Sequence, residues 1–578
     1  MNKIRLIALS IIALFQINTA TAQLRFDTLG WICPLKIPIY LSGNFAELRS
    51  GHFHAGLDMK TQGKVGFRIY AVQKGYVSRI KVSPTGYGHS VYITHPDGYT
   101  SVYAHMLEFN IQIGRYVRAQ QYKKHSFPVD LFLKPGEIPI NQGDVIGLSG
   151  NSGSSGGPHL HFEIRKTSNS NAMNGLFLGY PIADKTPPRM TLFTLFPMDN
   201  QSQIEGEFSR LTFNLVKTTG NLHVTESYDT IGVCGTIGVG IKSDDFLDGS
   251  SNRCGVYRFD LRVDDAVVFS MTFDGVSFSE THYISSVLDY EAYIASKTIA
   301  YKLFVEPNNK LAVYSNLVNN GLIHVKEGEI KKITVIATDS YGNTSKAQTW
   351  VKGLPLNTEA QKPEPEKMLK WQDSYNLDTT DFKLAIKAKS FFTDVPFAFS
   401  IDSTIAPGTF SYNFAVGNRL IPVDKSFNVQ IRCHGTDSVD TSKLTIVKQI
   451  DDKHESALAS KYSNGWISAN SGEFGKFVVK IDTVKPTIKP IKIVPGSQSI
   501  SFKIEDNLSG ISTYEGKIND NWVLFIYDPK TKSLTYTADE YLEPAKQYKL
   551  ELTVSDVCGN KETFRRTYQP NTFENEQH

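Results

Sequence analysis

Apolar and polar residues alternate with a period of two along much of this chain. "YAVQKGYVSRIKV" (70–82), "HSVYITH" (89–95) and "TSVYAHM" (100–106) are short alternating runs. The turn signals "SPTGYG" and "HPDGY" separate them. A period of two puts successive side chains on opposite faces of a strand, and short turns between such runs predict antiparallel hairpins. "GDVIGLSG" (143–150) and "PHLHFEIR" (158–165) extend the pattern. Residues 23–183 are therefore expected to form a mostly antiparallel β domain.

The texture changes at 184. "DKTPPRMTLFTLFP" opens one region and "DTVKPTIKPIKIVP", from 482, opens another. Each has an Asp, then Pro, then alternating apolar residues. The two regions also close alike, with "ITVIATDSYGNTSKA" at 333–347 and "LELTVSDVCGNKETF" at 550–564. That is a strand, an Asp, a Gly-Asn turn and another strand. Such recurrence predicts related β-sandwich modules of immunoglobulin-like kind. We expect modules at 184–354, 373–481 and 482–578, with a Pro- and charge-rich linker at 355–372. The whole chain is expected to be mainly β.

One stretch breaks the rhythm. Between "YAHM" and "GDVIG" lie residues 107–142, longer than a hairpin connection needs. The stretch carries Arg115, Arg118, Lys123, Lys124, Lys134 and His125. It reads either as a solvated surface insertion or as a wall of a substrate groove.

Composition adds bounds. A chain of 578 residues exceeds one hydrophobic core, so several domains are expected. The N-terminus, "MNKIRLIALSIIALFQINTATAQ", has a basic start, ten apolar residues and a small-x-small end. It reads as an export signal over 1–22, with periplasmic, cell-surface or secreted residence to follow. Ten apolar residues are too few to span a bilayer, so the protein is not expected to be integral to a membrane. The net charge of +3 falls to +1 once Lys3 and Arg5 leave. Such balance provides no field for nucleic acid. Five cysteines are present, none in Cys-x-x-Cys spacing. Export permits disulfides, and Cys234 and Cys254 are a candidate pair.

The candidate chemistry sits in the first domain. "GHFHAGLDM" (51–59) holds His52, His54 and Asp58; "PHLHFEIR" holds His159 and His161. On a strand, His159 and His161 project from one face about 6.6 Å apart. One can bind a metal while the other reaches a metal-bound water. The side-chain-poor "SGNSGSSGGP" before them leaves room for a ligand. On a straight strand His54 and Asp58 would be about 13 Å apart, too far to share an ion. The chain must bend between them, and Gly56 permits it. Spacing alone leaves His52 or His54, and His159 or His161, as the ligand. In "YTSVYAHM", Tyr103 and His105 are expected on one strand face. Two imidazoles, one carboxylate and an open fourth position make a catalytic zinc arrangement.

Here "HFHAGLD", "YAHM" and "GDVIGLSGNSGSSGGPHLHFEI" resemble, in order, the motifs of the lysostaphin/LytM-type zinc endopeptidases. The resemblance covers about residues 40–168. It implies a LytM-type antiparallel β peptidase domain, with one Zn2+ per chain held by His54, Asp58 and His161. It implies His105 and His159 as catalytic groups that assist the water and the oxyanion, and it leaves His52 a bystander. It also implies hydrolysis of stem or cross-bridge peptides of bacterial peptidoglycan. Some family members are latent, with an upstream Asn in the open zinc position, and "SGNFAELRSG" offers Asn44. A non-catalytic relative that binds wall or activates another hydrolase is the alternative. The β modules could serve a protein partner, and their sequence does not choose a target.

Overall fold

Most of the alternating runs of the first domain assemble into one antiparallel sheet, while Val145–Leu148 pairs with Arg68–Tyr70 and Glu108–Phe109 in a separate three-stranded sheet. In the computed structural model, residues 27–226, 230–361, 364–451, 454–492 and 499–568 are described. The expected export signal lies outside them. Strands β1 (Leu41–Gly43), β2 (Leu57–Lys60), β3 (Gly75–Val82), β4 (His89–Thr94), β5 (Tyr99–Met106), β6 (Val129–Phe132) and β7 (His159–Lys166) lie in the spatial order β1-β2-β7-β5-β4-β3-β6. Every neighbour in that path is antiparallel. One face of the sheet buries Leu160, Phe162 and Ile164 of β7 against Val91 and Tyr103. Each such side chain contributes roughly 1.5–3 kcal/mol by leaving water.

The 107–142 stretch is more than a bare surface loop. It contains α1 (Ile111–Lys124), whose N-cap Asn110 accepts from the Ile113 amide at 2.9 Å. Ile113, Val117 and Gln121, four apart, form its buried face. Its outer side docks on the last β module. Tyr122 stacks on Tyr541 with ring centroids 3.8 Å apart and donates its hydroxyl to Asp539 at 2.7 Å. His125 stacks on Trp522 at 5.3 Å.

The second region is organised by a long strand, β8 (Thr230–Asp244), which joins a twelve-stranded network. Its core does not divide at residue 184. Phe45, Leu48 and Phe53, from the segment before β2, are buried together with Phe193, Phe259 and Phe269. Ala172–Met173 also pairs with Gly275–Val276. Beyond it, two five-stranded sheets enclose Phe382, Phe414, Phe427 and Phe477, and two four-stranded sheets enclose Phe502, Phe525 and Leu552. The chain is mainly β, with a β-sandwich character towards its C-terminus.

The expected Cys234–Cys254 bridge is not formed; all five cysteines are free. Cys234 pairs across the strands with Gln203, near one end of β8, whereas Cys254 bridges to Asp245, just beyond the other end. Roughly 30 Å of strand separates the two. Among the described residues no helix is long and apolar enough to cross a membrane.

Candidate metal centre

The site forms where β2, β7 and the end of β5 meet. Antiparallel register sets Asp58 opposite His161 and Ala104 on the other side of His161. His54 sits before β2, and the chain turns so that its Nε2 comes 3.0 Å from Asp58 Oδ1. Gly56 makes this possible by its size. A Cβ there would lie 2.4 Å from the Phe162 carbonyl and 3.0 Å from His161 Nε2, and its φ is not in the left-handed region. The need is close approach rather than an unusual dihedral.

The structure brings His54, Asp58 and His161 together, each buried, with one ligand atom from each within 4.8 Å of the others. His161 Nδ1 lies 2.8 Å from Asp58 Oδ1 and 3.0 Å from His54 Nε2. The far side of each ring fixes its tautomer. The Asn44 carbonyl lies 2.6 Å from His54 Nδ1, and a carbonyl only accepts, so Nδ1 carries the proton. His161 Nε2 lies 2.8 Å from Glu163 Oε1 and donates to it. Once His161 also gives up its Nδ1 proton, both remaining lone pairs face the Asp58 oxygen, a donor set with room for a cation in place of that proton. Carboxylate or carbonyl partners behind metal-bound imidazoles are the usual support of such sites. Arg49 takes the other oxygen, Asp58 Oδ2, at 2.6 Å. The donor set fits zinc.

Electrostatics follow from burial and these contacts. Burial drives His54 down to about 4. His161 is also buried, but hydrogen bonds to Asp58 and Glu163 outweigh that and raise it to about 9. Burial opposes charge on Glu163, yet Arg165 and His161 hold it down to about 2. The Tyr87 ring stacks on His161 at 5.1 Å, and its hydroxyl donates to Glu163.

His105 and His159 stand beside the three. Their rings are 4.8 Å apart. His159 donates Nδ1–H to the Gly157 carbonyl at 2.8 Å and holds Nε2 3.3 Å from Asp58 Oδ1. His105 donates Nδ1–H to the Ser152 carbonyl at 2.9 Å. Burial and the neighbouring His161 and His159 push His105 down to about 3. The two histidines and Asp58 line a cleft of about 620 Å³ floored by Ser154–Pro158 and flanked by Arg49 and Lys60. No residue of 107–142 lines it. His52 is exposed, on the Ser50 carbonyl.

One expectation fails. Tyr103 and His105 do not share a face. Tyr103 is in the core against Phe162, at 5.5 Å, whereas His105 is in the cleft. His105 has a left-handed φ of 58°, and the β4–β5 register shifts just there. Left-handed backbone is unusual for a non-glycine residue and clusters at functional sites.

Residues 52–122 and 130–174 match the model of peptidase family M23. This region is similar to M23 peptidases. Residues 366–482 match a Zu5-like domain. The chain is 27% identical over 139 residues to the DD-carboxypeptidase/endopeptidase Mpg of Neisseria meningitidis serogroup B, covering 24% of this chain and 26% of that protein. It is 27% identical over 128 residues to lysostaphin of Staphylococcus staphylolyticus, covering 22% of each. The chain thus spans about a quarter of the length of the curated relatives it matches. Among solved structures, the catalytic domain of the prophage-encoded M23 protein EnpA from Enterococcus faecalis is 26% identical, covering 25% of this chain and 92% of that one, with a TM-score of 0.18.

Several M23-domain residues escaped the sequence reading. Arg49 carried no signal of its own, and Tyr87 lay within the turn signal "SPTGYG". Asn44, weighed as a latency ligand, is placed otherwise. Its side chain exchanges two hydrogen bonds with Gly255, at 2.8 and 2.7 Å, and its carbonyl orients His54. The Gly-rich floor of the cleft is held from afar. Lys530 of the last module donates to the carbonyls of Asn151 and Ser155.

Proposed function

We propose that this chain is an exported, zinc-dependent endopeptidase that hydrolyses peptide cross-links of bacterial peptidoglycan. The observation that carries the reading is the convergence of His54 Nε2 and His161 Nδ1 on one Asp58 oxygen, with the far nitrogen of each ring held by its own acceptor. A second support is the M23 assignment, whose relatives include a DD-carboxypeptidase/endopeptidase and lysostaphin.

His54, Asp58 and His161 would hold the metal. A zinc ion so bound supplies an acidified water and a Lewis acid for the scissile carbonyl. The chain's own residues do the rest. His105 and His159 each have Nδ1–H committed to a backbone carbonyl, so Nε2 is left to take or return a proton in the cleft. Protonated, either ring stabilises negative charge developing on the substrate oxygen. Glu163 and the Asn44 carbonyl keep the ligand rings in register. Arg49 holds Asp58 to one free oxygen. The Gly-rich floor lets an extended peptide approach without side-chain obstruction.

A latent form with Asn44 on the metal is disfavoured, because that side chain is committed to Gly255.

Purified chain carrying one zinc, incubated with isolated peptidoglycan, is expected to release cross-link-cleaved muropeptides. His161→Ala and His54→Ala are expected to lose metal and activity together; His52→Ala is expected to keep both. His105→Ala is expected to keep the metal and lose turnover. Stoichiometric zinc with no release from any peptidoglycan would overturn the enzyme reading.

A further inference from the structure

Two clusters of carboxylates lie outside the M23 domain, and they are built alike. In the first, Asp184, Asp245 and Asp339 bring one oxygen each within 4.8 Å of the others. Asp339 accepts from the Asn343 amide at 2.9 Å and from Asn343 Nδ2 at 2.8 Å, and the same Nδ2 donates to the Asp184 carbonyl at 3.3 Å. In the second, Asp482, Asp506 and Asp556 meet the same 4.8 Å limit. Asp556 accepts from the Asn560 amide at 2.8 Å and from Asn560 Nδ2 at 2.7 Å, and that Nδ2 donates to the Asp482 carbonyl at 2.8 Å. The correspondence follows the recurring "D…P" opening and "D…GN" closing of the two modules.

Each cluster has oxygens with nothing to bind. Asp245 is only 2% exposed, its carboxylate faces Asp184 and Asp339, and its Oδ1 has no hydrogen-bond partner. Asp184 Oδ2 and Asp506 Oδ1, on half-buried residues, are enclosed atoms that also lack a partner, and the second cluster stands on its match to the first. A buried carboxylate oxygen without a partner is costly, and three carboxylates together are costlier still. The charged groups acting on Asp245 are themselves carboxylates. Burial and that crowding raise Asp184 to about 7 and Asp245 to about 8.

We infer that each cluster is a calcium site, so that the chain binds two Ca2+ in addition to any metal in the M23 domain. Oxygen-only ligands select a hard divalent cation over zinc. The irregular spacing favours Ca2+, which accepts six to eight oxygens in flexible geometry, over Mg2+, which demands a near-ideal octahedron. Asp184 and Asp482 precede the entry strand of their modules, while Asp339 and Asp556 begin the closing turn. An ion at each cluster therefore ties a module's entrance to its last hairpin and stiffens the joint with the segment before it. The reading is independent of the proposed peptidase activity.

The test uses the full zinc-loaded chain. Native mass spectrometry in about 1 mM Ca2+, the range of extracellular calcium modules, is expected to show two calcium ions per chain. Thermal unfolding is expected to rise by roughly 5 °C or more. Asp245→Asn should bind one calcium, and Asp245→Asn with Asp506→Asn should bind none and lose the calcium-dependent shift, both retaining zinc. Terbium luminescence of the wild-type chain, displaced by Ca2+, provides a readout that needs no variant. No calcium bound by the wild type, or an equal shift in the double variant, overturns the inference. Equal occupancy by Mg2+ at the same concentration overturns the assignment to calcium. A wild type indifferent to calcium alongside a more stable Asp245→Asn would show that the clusters hold protons instead.

Discussion

Asn44 and Gly255, 211 residues apart, exchange two hydrogen bonds, and the Asn44 carbonyl rests on Nδ1 of His54. The second β region thereby reaches His54, a proposed metal ligand, through one intermediate residue. Asn44→Ala leaves the Gly255 amide and carbonyl unpaired in a buried setting, at about 2–4 kcal/mol. Thermal unfolding should record the loss, and zinc titration should record weaker binding. A destabilised variant with unchanged zinc affinity would break the proposed link to His54.

Glu163 accepts from His161 on the side away from the cluster, and Arg165 pairs with its other oxygen. Glu163→Gln keeps the shape but removes the charge that orients and enriches the imidazole. Zinc affinity is expected to fall 10–100-fold, as for other partners behind metal ligands. Competition with a chelator measures it, and retained secondary structure by circular dichroism separates this from misfolding.

The metal-free protein should respond to pH in two windows of opposite sign. His54, lowered to about 4, favours the folded state when neutral. Its contribution is complete above the unfolded value near 6.5 and is lost as pH falls towards 4. His161, raised to about 9, favours the folded state when protonated. Its contribution is complete below about 6.5 and is lost as pH rises through 9. Zinc must displace that proton, so zinc affinity should rise about tenfold per pH unit between pH 7 and 9. Isothermal titration in buffers of different ionisation enthalpy would count the proton released; a count of zero contradicts the scheme.

Lys530 holds two carbonyls of the Gly-rich floor, the same loop whose Ser152 and Gly157 carbonyls tether His105 and His159. Lys530→Ala should leave zinc content unchanged and lower turnover by about two- to tenfold, through loosened positioning of both rings. The readout is kcat on a defined peptide with metal content measured in parallel. Wild-type kcat would confine Lys530 to holding the modules together.

The sequence showed the strands of the M23 domain because a period of two in residue type survives in the letters, even where β5 and β7 are buried on both faces. It also showed His159 two from His161 and Asp58 four from His54, but only the family resemblance joined the two stretches into one site. Helix α1 was missed for a definite reason. Its buried stripe of Ile113, Val117 and Gln121 includes a polar residue, and Gly114 interrupts it, so periodicity was weak. Nothing about a histidine announces a left-handed backbone, so the turn of His105 away from Tyr103 was invisible. Asn44–Gly255 and Lys530–Ser155 join positions hundreds of residues apart, and only the packed fold reveals them.

Phe53, the neighbour of His54, is buried with Phe259 and Phe269 in the core of the next region. That placement sets a schedule for maturation. The peptidase segment is made early, but the apolar pocket for Phe45, Leu48 and Phe53 does not exist until the residues around β8 and the strands through Met271 have folded. During synthesis the apolar seat beside His54 is therefore filled late, and a chain that stops before Met271 lacks it.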